Sequence, residues 1–268
     1  MSNSQVFVAF DVETTGLLPG VDRVLELAAV SFTRDAVLHV YSQLVNPGIP
    51  VPEEAGRVNG ITDEMVRDAP CIGSVLPVFL SFLGRGVPVA HNAVFDVGFV
   101  SADVATLGLP RPEGPVLDTR ALARTAFPGR YSYGLANLVR DLGIRVEGAH
   151  RALADAHACR LLFLECLWHV GPDLPVDELA ARSLPRIDFT AHAPRMVSTA
   201  ALLQQALADD ALVDITYRSA SGELTDRRIR PLYFTTIGGS NAIVAYCFLR
   251  DDARTFHLMS IEEARRVP

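Results

Sequence analysis

Residues 6–13, VFVAFDVE, form a short apolar run rich in Val and Phe that ends in two carboxylates. This is the pattern of a strand buried on both faces. RVLELAAVSF (23–32) and AVLHVYSQLV (36–45) repeat the texture on either side of the polar Thr33-Arg34-Asp35, so a hairpin is expected, followed by the PGIPVP loop. The period then changes. Ile72, Val75, Leu76, Phe79, Phe82 and Leu83 recur every three to four residues, as on one face of a helix. VPVAH (87–91) and PVLD (115–118) predict short strands. Helices are expected over Val94–Leu107, stopped by Gly108 and Pro110, over Thr119–Ala126 and Gly134–Leu142, and over Arg151–Val170, stopped by Gly171-Pro172. Three opening strands and then alternating helices and short strands predict a mixed α/β domain over residues 1–172.

Residues 173–197 carry Pro175, Pro185 and Pro194 with little period, and read as a linker with local helix near Val176–Arg182. After them come a short helix, Ser198–Ala208, capped by Ser198 or Thr199, and four strand-like runs: ALVDITYRS, ELTDRRIRPLYFTTI, NAIVAYCFLR and RTFHLMSI. Ser221-Gly222, Gly238-Gly239-Ser240 and Asp251-Asp252 mark the turns, so residues 198–268 predict a small antiparallel β unit. No run of about 20 apolar residues is present, and the MSNSQ start lacks a basic region, so neither a membrane span nor a signal peptide is expected. The four cysteines, Cys71, Cys159, Cys166 and Cys247, form no CxxC pair and stand among apolar residues, which predicts buried free thiols in a reducing, cytoplasmic setting.

Charge adds an exclusion and a puzzle. The chain has 268 residues and a formal charge of −7, and all 24 of its basic residues are arginine. Without lysine there is no Schiff base, no P-loop lysine and no Ser-Lys dyad. The acidic balance also argues at first sight against a nucleic-acid partner.

Three clusters carry candidate chemistry. Asp11 and Glu13, at i and i+2 on the first strand, project from one face, where like charges repel and ask for a cation between them; a surface strand end would account for them equally well. HNAVFD (91–96) opens a helix whose dipole favours Asp96. HRALAD (150–155) places His150 at the lip of the last long helix and Asp155 early in it. Either of the latter two alone reads as an ordinary capping turn. Together, FDVETTGL, HNAVFD and HRALAD resemble, in order and internal spacing, the three motifs of the DEDDh 3′→5′ exonucleases, the DnaQ-like proofreading-subunit family. NGIT (59–62), LDTRALAR (117–124) and YGLANLVRDLGI (133–144) are similar to that family's intermediate segments.

The resemblance implies a ribonuclease H-like mixed-sheet fold. It also implies that Asp11, Glu13, Asp96 and Asp155 hold two divalent ions, Mg²⁺ or Mn²⁺, with Asp11 touching both, and that His150 serves as general base. Products would be nucleoside 5′-monophosphates. Thr14, Thr15, Leu17, Asn92 and Phe95 would contact the terminal nucleotide, each with ordinary turn or core packing as the alternative. His91 reads as structural, and His157 is a minor candidate ligand. Residues 1–172 hold 13 Arg and 18 acidic groups; four of those acids are the implied ligands, so the acidity that argued against nucleic acid is in part the metal site itself.

The C-terminal unit is similar to a WYL domain, a small SH3-like (Sm-type) β fold, on Tyr217-Arg218, the RIRPL segment, and Arg250 and Arg254 before FHL. It departs at the family's Trp-Tyr-Leu, which aligns with Asn241-Ala242-Ile243. Arg228, Arg230, Arg250 and Arg254 form either a nucleic-acid grip or a solvated face. The expected partner is single-stranded DNA, in repair or end trimming; nothing in the motifs distinguishes the sugar, so RNA or oligoribonucleotides remain open. A binding module with a ligand-sensing C-terminal domain ranks below these because all four carboxylates are present. A stand-alone enzyme ranks above a polymerase-tethered subunit.

Overall fold

The computed structural model describes residues 5–145, 151–182, 186–189, 193–219, 221–237 and 240–267. In chain order its elements are β1 (Phe7–Thr14), β2 (Val24–Phe32), β3 (Val37–Leu44), α1 (Glu53–Asn59), α2 (Asp63–Val66), α3 (Ile72–Leu83), β4 (Val87–Ala90), α4 (Val94–Leu107), β5 (Leu117–Asp118), α5 (Thr119–Ala126), α6 (Leu135–Asp141), α7 (Ala152–Val170), α8 (Val176–Ala180), α9 (Ala193–Ala208), β6 (Val213–Arg218), β7 (Leu224–Ile237), β8 (Ser240–Cys247), β9 (Asp252–His257) and β10 (Ile261–Arg266).

The first sheet runs β3-β2-β1-β4-β5. β1 is antiparallel to β2, and β2 to β3, while β4 is parallel to β1 and β5 to β4. Strand alternation divides the core in two. Val8, Phe10 and Val12 face the side of α3 and α4, where they meet Phe79, Val97 and Val100. Phe7 and Ala9 face the other side, against Phe163, Leu162 and Cys159 of α7. Burying large apolar side chains of this kind contributes about 1.5–3 kcal/mol each.

The second sheet is fully antiparallel, in the order β10-β6-β7-β8-β9. Ile215, Ile229, Ile243 and Phe256 line its inner face, and Ala200, Leu203 and Ala206 of α9 pack onto it. α9 also packs against α4 of the first domain.

Several expectations change. The 173–197 stretch is not a free tether: Leu179 and Ala180 join the α7-side core, while Ile187 and Phe189 join the α3–α4 core. Val116 N–H donates to Ile187 O at 2.9 Å, and the Phe189 ring lies 6.3 Å from that of Phe10. α9 starts at Ala193, so Ser198 and Thr199 lie inside the helix rather than capping it; Pro194 falls in the first turn, where its missing N–H costs nothing. β10 closes the second sheet and was not expected, nor were α1 and α2. Cys71 is exposed, at the N-cap of α3, while Cys159, Cys166 and Cys247 are buried free thiols. The Gly238-Gly239 turn lies outside the described residues. Among the described residues no helix is long and apolar enough to cross a membrane.

Candidate active site

Asp11 and Glu13 continue the row begun by Phe7 and Ala9, so the α7-facing side of β1 turns acidic where the sheet ends. The first turn of α7 brings Asp155 to the same side. Asp11, Glu13 and Asp155 each offer a carboxylate oxygen, all within 4.8 Å of one another. All three side chains are partly exposed, so a cation can reach them.

Asp96 arrives from the opposite face. β4 pairs with β1 only as far as Ala9, which leaves the β4-side edge of β1 open beyond that point. Asp96, in the first turn of α4, closes this edge by accepting the Val12 N–H at 3.0 Å. It is buried, and its hydrogen bond fixes α4 against the strand that carries Asp11 and Glu13. The site therefore sits in the crevice beyond the sheet's carboxyl ends, where strand order reverses.

Like charges crowd here. Burial, followed by the charges of Asp96, Glu13, Asp155 and Glu26, holds the Asp11 carboxyl well above the usual carboxylate range. Burial, then Asp155 and Glu26, pushes Glu13 up to about 7 against the opposing pull of Asn59 and Arg151. Burial also raises Asp96, against backbone N–H bonds that favour its charged form. Glu26, directly opposite Glu13 in the β1–β2 register, has its own cation. Arg151 grips it bidentately at 2.8 and 3.0 Å, and Ala152 N–H adds a third bond at 3.2 Å. With Arg151 committed to Glu26, the remaining carboxylates form a set of hard oxygen donors that suits a divalent cation. His150, next in sequence to Arg151, lies outside the described residues.

The loop after β1 is cross-braced. Thr14 Oγ1 donates to Gly16 O at 2.6 Å, Thr15 Oγ1 accepts Arg23 N–H at 2.9 Å, and Asp22 accepts Leu18 N–H at 2.7 Å. A Cβ on Gly16 would come within 2.5 Å of the Asp22 carboxyl, so any larger residue would have to displace the side chain that accepts the Leu18 N–H. Leu17 stands out at the tip with its side chain 39% exposed. Asn59, of the NGIT segment, is buried behind this loop and donates to Thr14 O at 3.4 Å.

Asn92 adopts φ 61°, in the left-handed region that Asn tolerates. Its N–H donates to Asp118 at 2.9 Å, and its side-chain oxygen accepts from Arg120 at 2.9 Å. Phe95 packs against the Phe99 ring at 5.0 Å. His91 uses both ring nitrogens internally, Nε2–H donating to Tyr133 O and Nδ1 facing the Thr119 hydroxyl, each at 2.9 Å. Burial drives its pKa down to about 4, in keeping with a structural histidine. His157 is shifted down by burial and then by Arg160, and is not among the clustered ligands.

Two features escaped the sequence. Glu26–Arg151 is one: a carboxylate inside an apolar strand was the available signal. The other is an open cavity of about 540 Å³ beside Asn92, lined by Arg120, Arg124, Tyr131 and Tyr133 among others. Arg124 lies 5.6 Å from the centre of the Tyr133 ring, and Tyr131 is fully exposed.

The four C-terminal arginines do not share a face. Arg228 and Arg230 lie outside the sheet, where Arg228 pairs bidentately with Asp214 at 2.8 and 2.9 Å and Arg230 approaches Asp210 at 3.9 Å. Arg254 stands opposite the buried Ala245, on the face of Phe256. Arg250 is in the turn between β8 and β9.

A family model described as Exonuclease matches residues 8–163, and one described as WYL domain matches residues 198–266. The DNA polymerase III subunit epsilon of Treponema pallidum is 39% identical over 165 residues, covering 61% of this chain and 77% of that protein. The PolC-type DNA polymerase III of Caldanaerobacter subterraneus is 39% identical over 161 residues, covering 60% of this chain but 11% of its own. Among solved structures, exonuclease X in complex with 5′ overhanging duplex DNA shares 28% identity, 66% of this chain, 98% of its own and a TM-score of 0.53. Escherichia coli exonuclease I with a dA16 oligonucleotide shares the fold, at 18% identity and a TM-score of 0.56 over 91% of this chain and 55% of its own.

Proposed function

The chain belongs to the exonuclease family, and from that premise we propose that it is a metal-dependent 3′→5′ exonuclease that trims single-stranded DNA 3′ ends in repair or end processing. The observation that carries this reading is the convergence of Asp11, Glu13 and Asp155 within 4.8 Å, with Asp96 tied to the same strand. These four would hold two divalent ions, Mg²⁺ or Mn²⁺, which when bound acidify a water and stabilise a departing oxygen.

The chain's own residues do the rest. His150 accepts the proton of the attacking water as general base, an imidazole being poised near neutral pH. The water oxygen bonds to phosphorus, the bond to the 3′-oxygen of the preceding nucleotide breaks, and a nucleoside 5′-monophosphate leaves. The Glu26–Arg151 clamp anchors the chain immediately after His150. Thr14, Thr15 and Leu17 receive the terminal nucleotide, with Asn92 and Phe95 on the wall. Arg120 and Arg124, beside Tyr131, meet the strand's phosphates. We read the C-terminal sheet as an SH3-like (Sm-type) unit. Of its candidate grip residues, Arg228 has its fork occupied by Asp214.

The test uses 5′-labelled and 3′-labelled single strands, with matched DNA and RNA oligomers, in Mg²⁺, Mn²⁺ or EDTA. The expected result is a ladder that shortens from the 3′ end, faster on DNA, and vanishes in EDTA and in Asp11→Ala. Activity that persists in Asp11→Ala would sink the metal mechanism. His150→Ala should lower turnover at neutral pH while metal affinity, read by calorimetry, is retained; equal loss of both would make His150 structural.

A further inference from the structure

The C-terminal domain touches the exonuclease domain at the loop that follows Asp11 and Glu13. Asn241, near the start of β8, donates from Nδ2 to Leu17 O at 2.7 Å, across 224 residues of sequence. Leu18, one residue on, is buried in the core of the C-terminal domain, where Val21 and Val94 also pack. Val94 belongs to the first turn of α4, the turn that carries Asp96. The C-terminal domain therefore grips both the loop after β1 and the helix that closes β1's open edge.

We propose that Asn241 is a positioning residue: through it the C-terminal domain holds the Leu17 loop in the shape that receives the 3′-terminal nucleotide. This rests on the nuclease reading above, since it takes Leu17 and the Thr14–Thr15 backbone as the nucleotide's seat.

The chemistry at 241 argues for positioning over simple packing. Asn241 is 8% exposed, and its Oδ1 is buried with no hydrogen-bond partner among the described residues. A buried acceptor left unpaired is costly, and an apolar side chain of the same shape would avoid that cost. A contact selected for stability alone would not keep the amide. The donor, however, has a use that no apolar side chain supplies: it fixes the direction of the Leu17 carbonyl, and so the peptide that presents the Leu17 side chain. The loop is already braced from within by Asp22 and Thr15. Asn241 braces it from outside, at the exposed Leu17. The same position is where the WYL resemblance places the family's Trp, so the departure from the signature falls on the residue that makes the interdomain bond.

The test uses the full chain with Asn241→Leu, which removes donor and acceptor while keeping the number and branching of side-chain heavy atoms, and Asn241→Asp, which keeps the shape but turns an oxygen toward the Leu17 carbonyl. Substrates are a 3′-labelled single strand and the p-nitrophenyl ester of thymidine 5′-monophosphate, which has only the terminal nucleotide to bind. A lost hydrogen bond of ordinary strength predicts KM raised about fivefold on both substrates in Asn241→Leu, with kcat within about twofold. The melting temperature should be equal to or above that of the parent. Asn241→Asp should raise KM further. Unchanged KM in both variants overturns the proposal, as does a KM rise that merely tracks a fall in melting temperature. Binding of thymidine 5′-monophosphate in EDTA is measured alongside. A parent that binds but does not cut overturns the nuclease reading and leaves the positioning proposal to be decided by whether binding weakens in the variants; a parent that neither binds nor cuts overturns both.

Discussion

At the end of β1, Asp11, Glu13, Asp96, Asp155 and Glu26 crowd together and the Arg151 guanidinium is spent on the last of them. On the C-terminal sheet, Arg218, Arg228, Arg265 and Arg266 each stand beside a carboxylate in water. Both regions are dense in charge, but only in the first do burial and neighbouring like charges together push carboxyls above their usual range. Surface pairs form cheaply wherever opposite charges are neighbours and contribute little. Desolvated like charges persist only if something else makes up their cost. Desolvated like charge, rather than charge density, is therefore what separates the candidate site from the charged surface in this chain.

The contrast can be broken or sharpened by substitution. The largest expected effect is that of Asp11→Asn: activity falls more than about a hundredfold, yet in EDTA the melting temperature rises because a desolvated, repelled carboxyl is gone. A fall in stability would mean that the crowding is already compensated. Next comes Arg151→Ala. Glu26 is 2% exposed and its partner's side chain 41%, so a destabilisation of about 2–3 kcal/mol is expected in chemical denaturation, below the value for a fully buried pair. Arg228→Ala, on the exposed pair with Asp214, should leave the denaturation midpoint unmoved. Equal effects at the two positions would erase the distinction between the regions.

Acidity gives a third comparison. Glu13 keeps its proton in the folded chain up to about 7, whereas its ordinary value is near 4.5. Unfolding therefore releases a proton between those values. In EDTA, stability from this group is present below about pH 4.5 and is lost as pH rises through 7. Thermal melts across that window should slope downward, and saturating Mg²⁺ should flatten them. The smallest effect is that of Arg124→Ala, which should raise KM a few-fold on long strands and reduce the slope of log KM against log salt by about 0.7, one single-strand phosphate contact. An unaltered slope would remove Arg124 from the strand's path.

The parts of this fold governed by local pattern were legible. α4 begins and ends where the apolar spacing and the Gly108 stop predicted, and α5 likewise. Short-range periodicity placed Asp11 and Glu13 on a strand and Asp155 on a helix, but it was the resemblance of their segments to the DEDDh motifs that grouped them. What escaped was decided by distant partners or broken periods. The bond from Val12 to Asp96 spans 84 residues and that from Arg151 to Glu26 spans 125, and nothing in either neighbourhood announces the other end. β10 escaped because a register shift between Ile261 and Glu263 interrupts its alternation. α1 and α2 are short helices within a proline-rich, acidic stretch that reads as loop. Cys71 was expected inside because of its apolar neighbours, but it is an N-cap, and caps face water.

The packing of Ile187 and Phe189 has a consequence for synthesis. The three exonuclease motifs are complete once residue 155 has been made, but the core beneath them is not. Phe10 waits for Phe189, and Val116 N–H waits for the Ile187 carbonyl. A nascent chain that has emerged only to the end of α7 therefore carries all four proposed acidic ligands on an unfinished hydrophobic floor. The unit that folds is longer than the unit that cuts, and a premature stop in the intervening stretch would release a chain with its carboxylates present but its sheet incompletely covered.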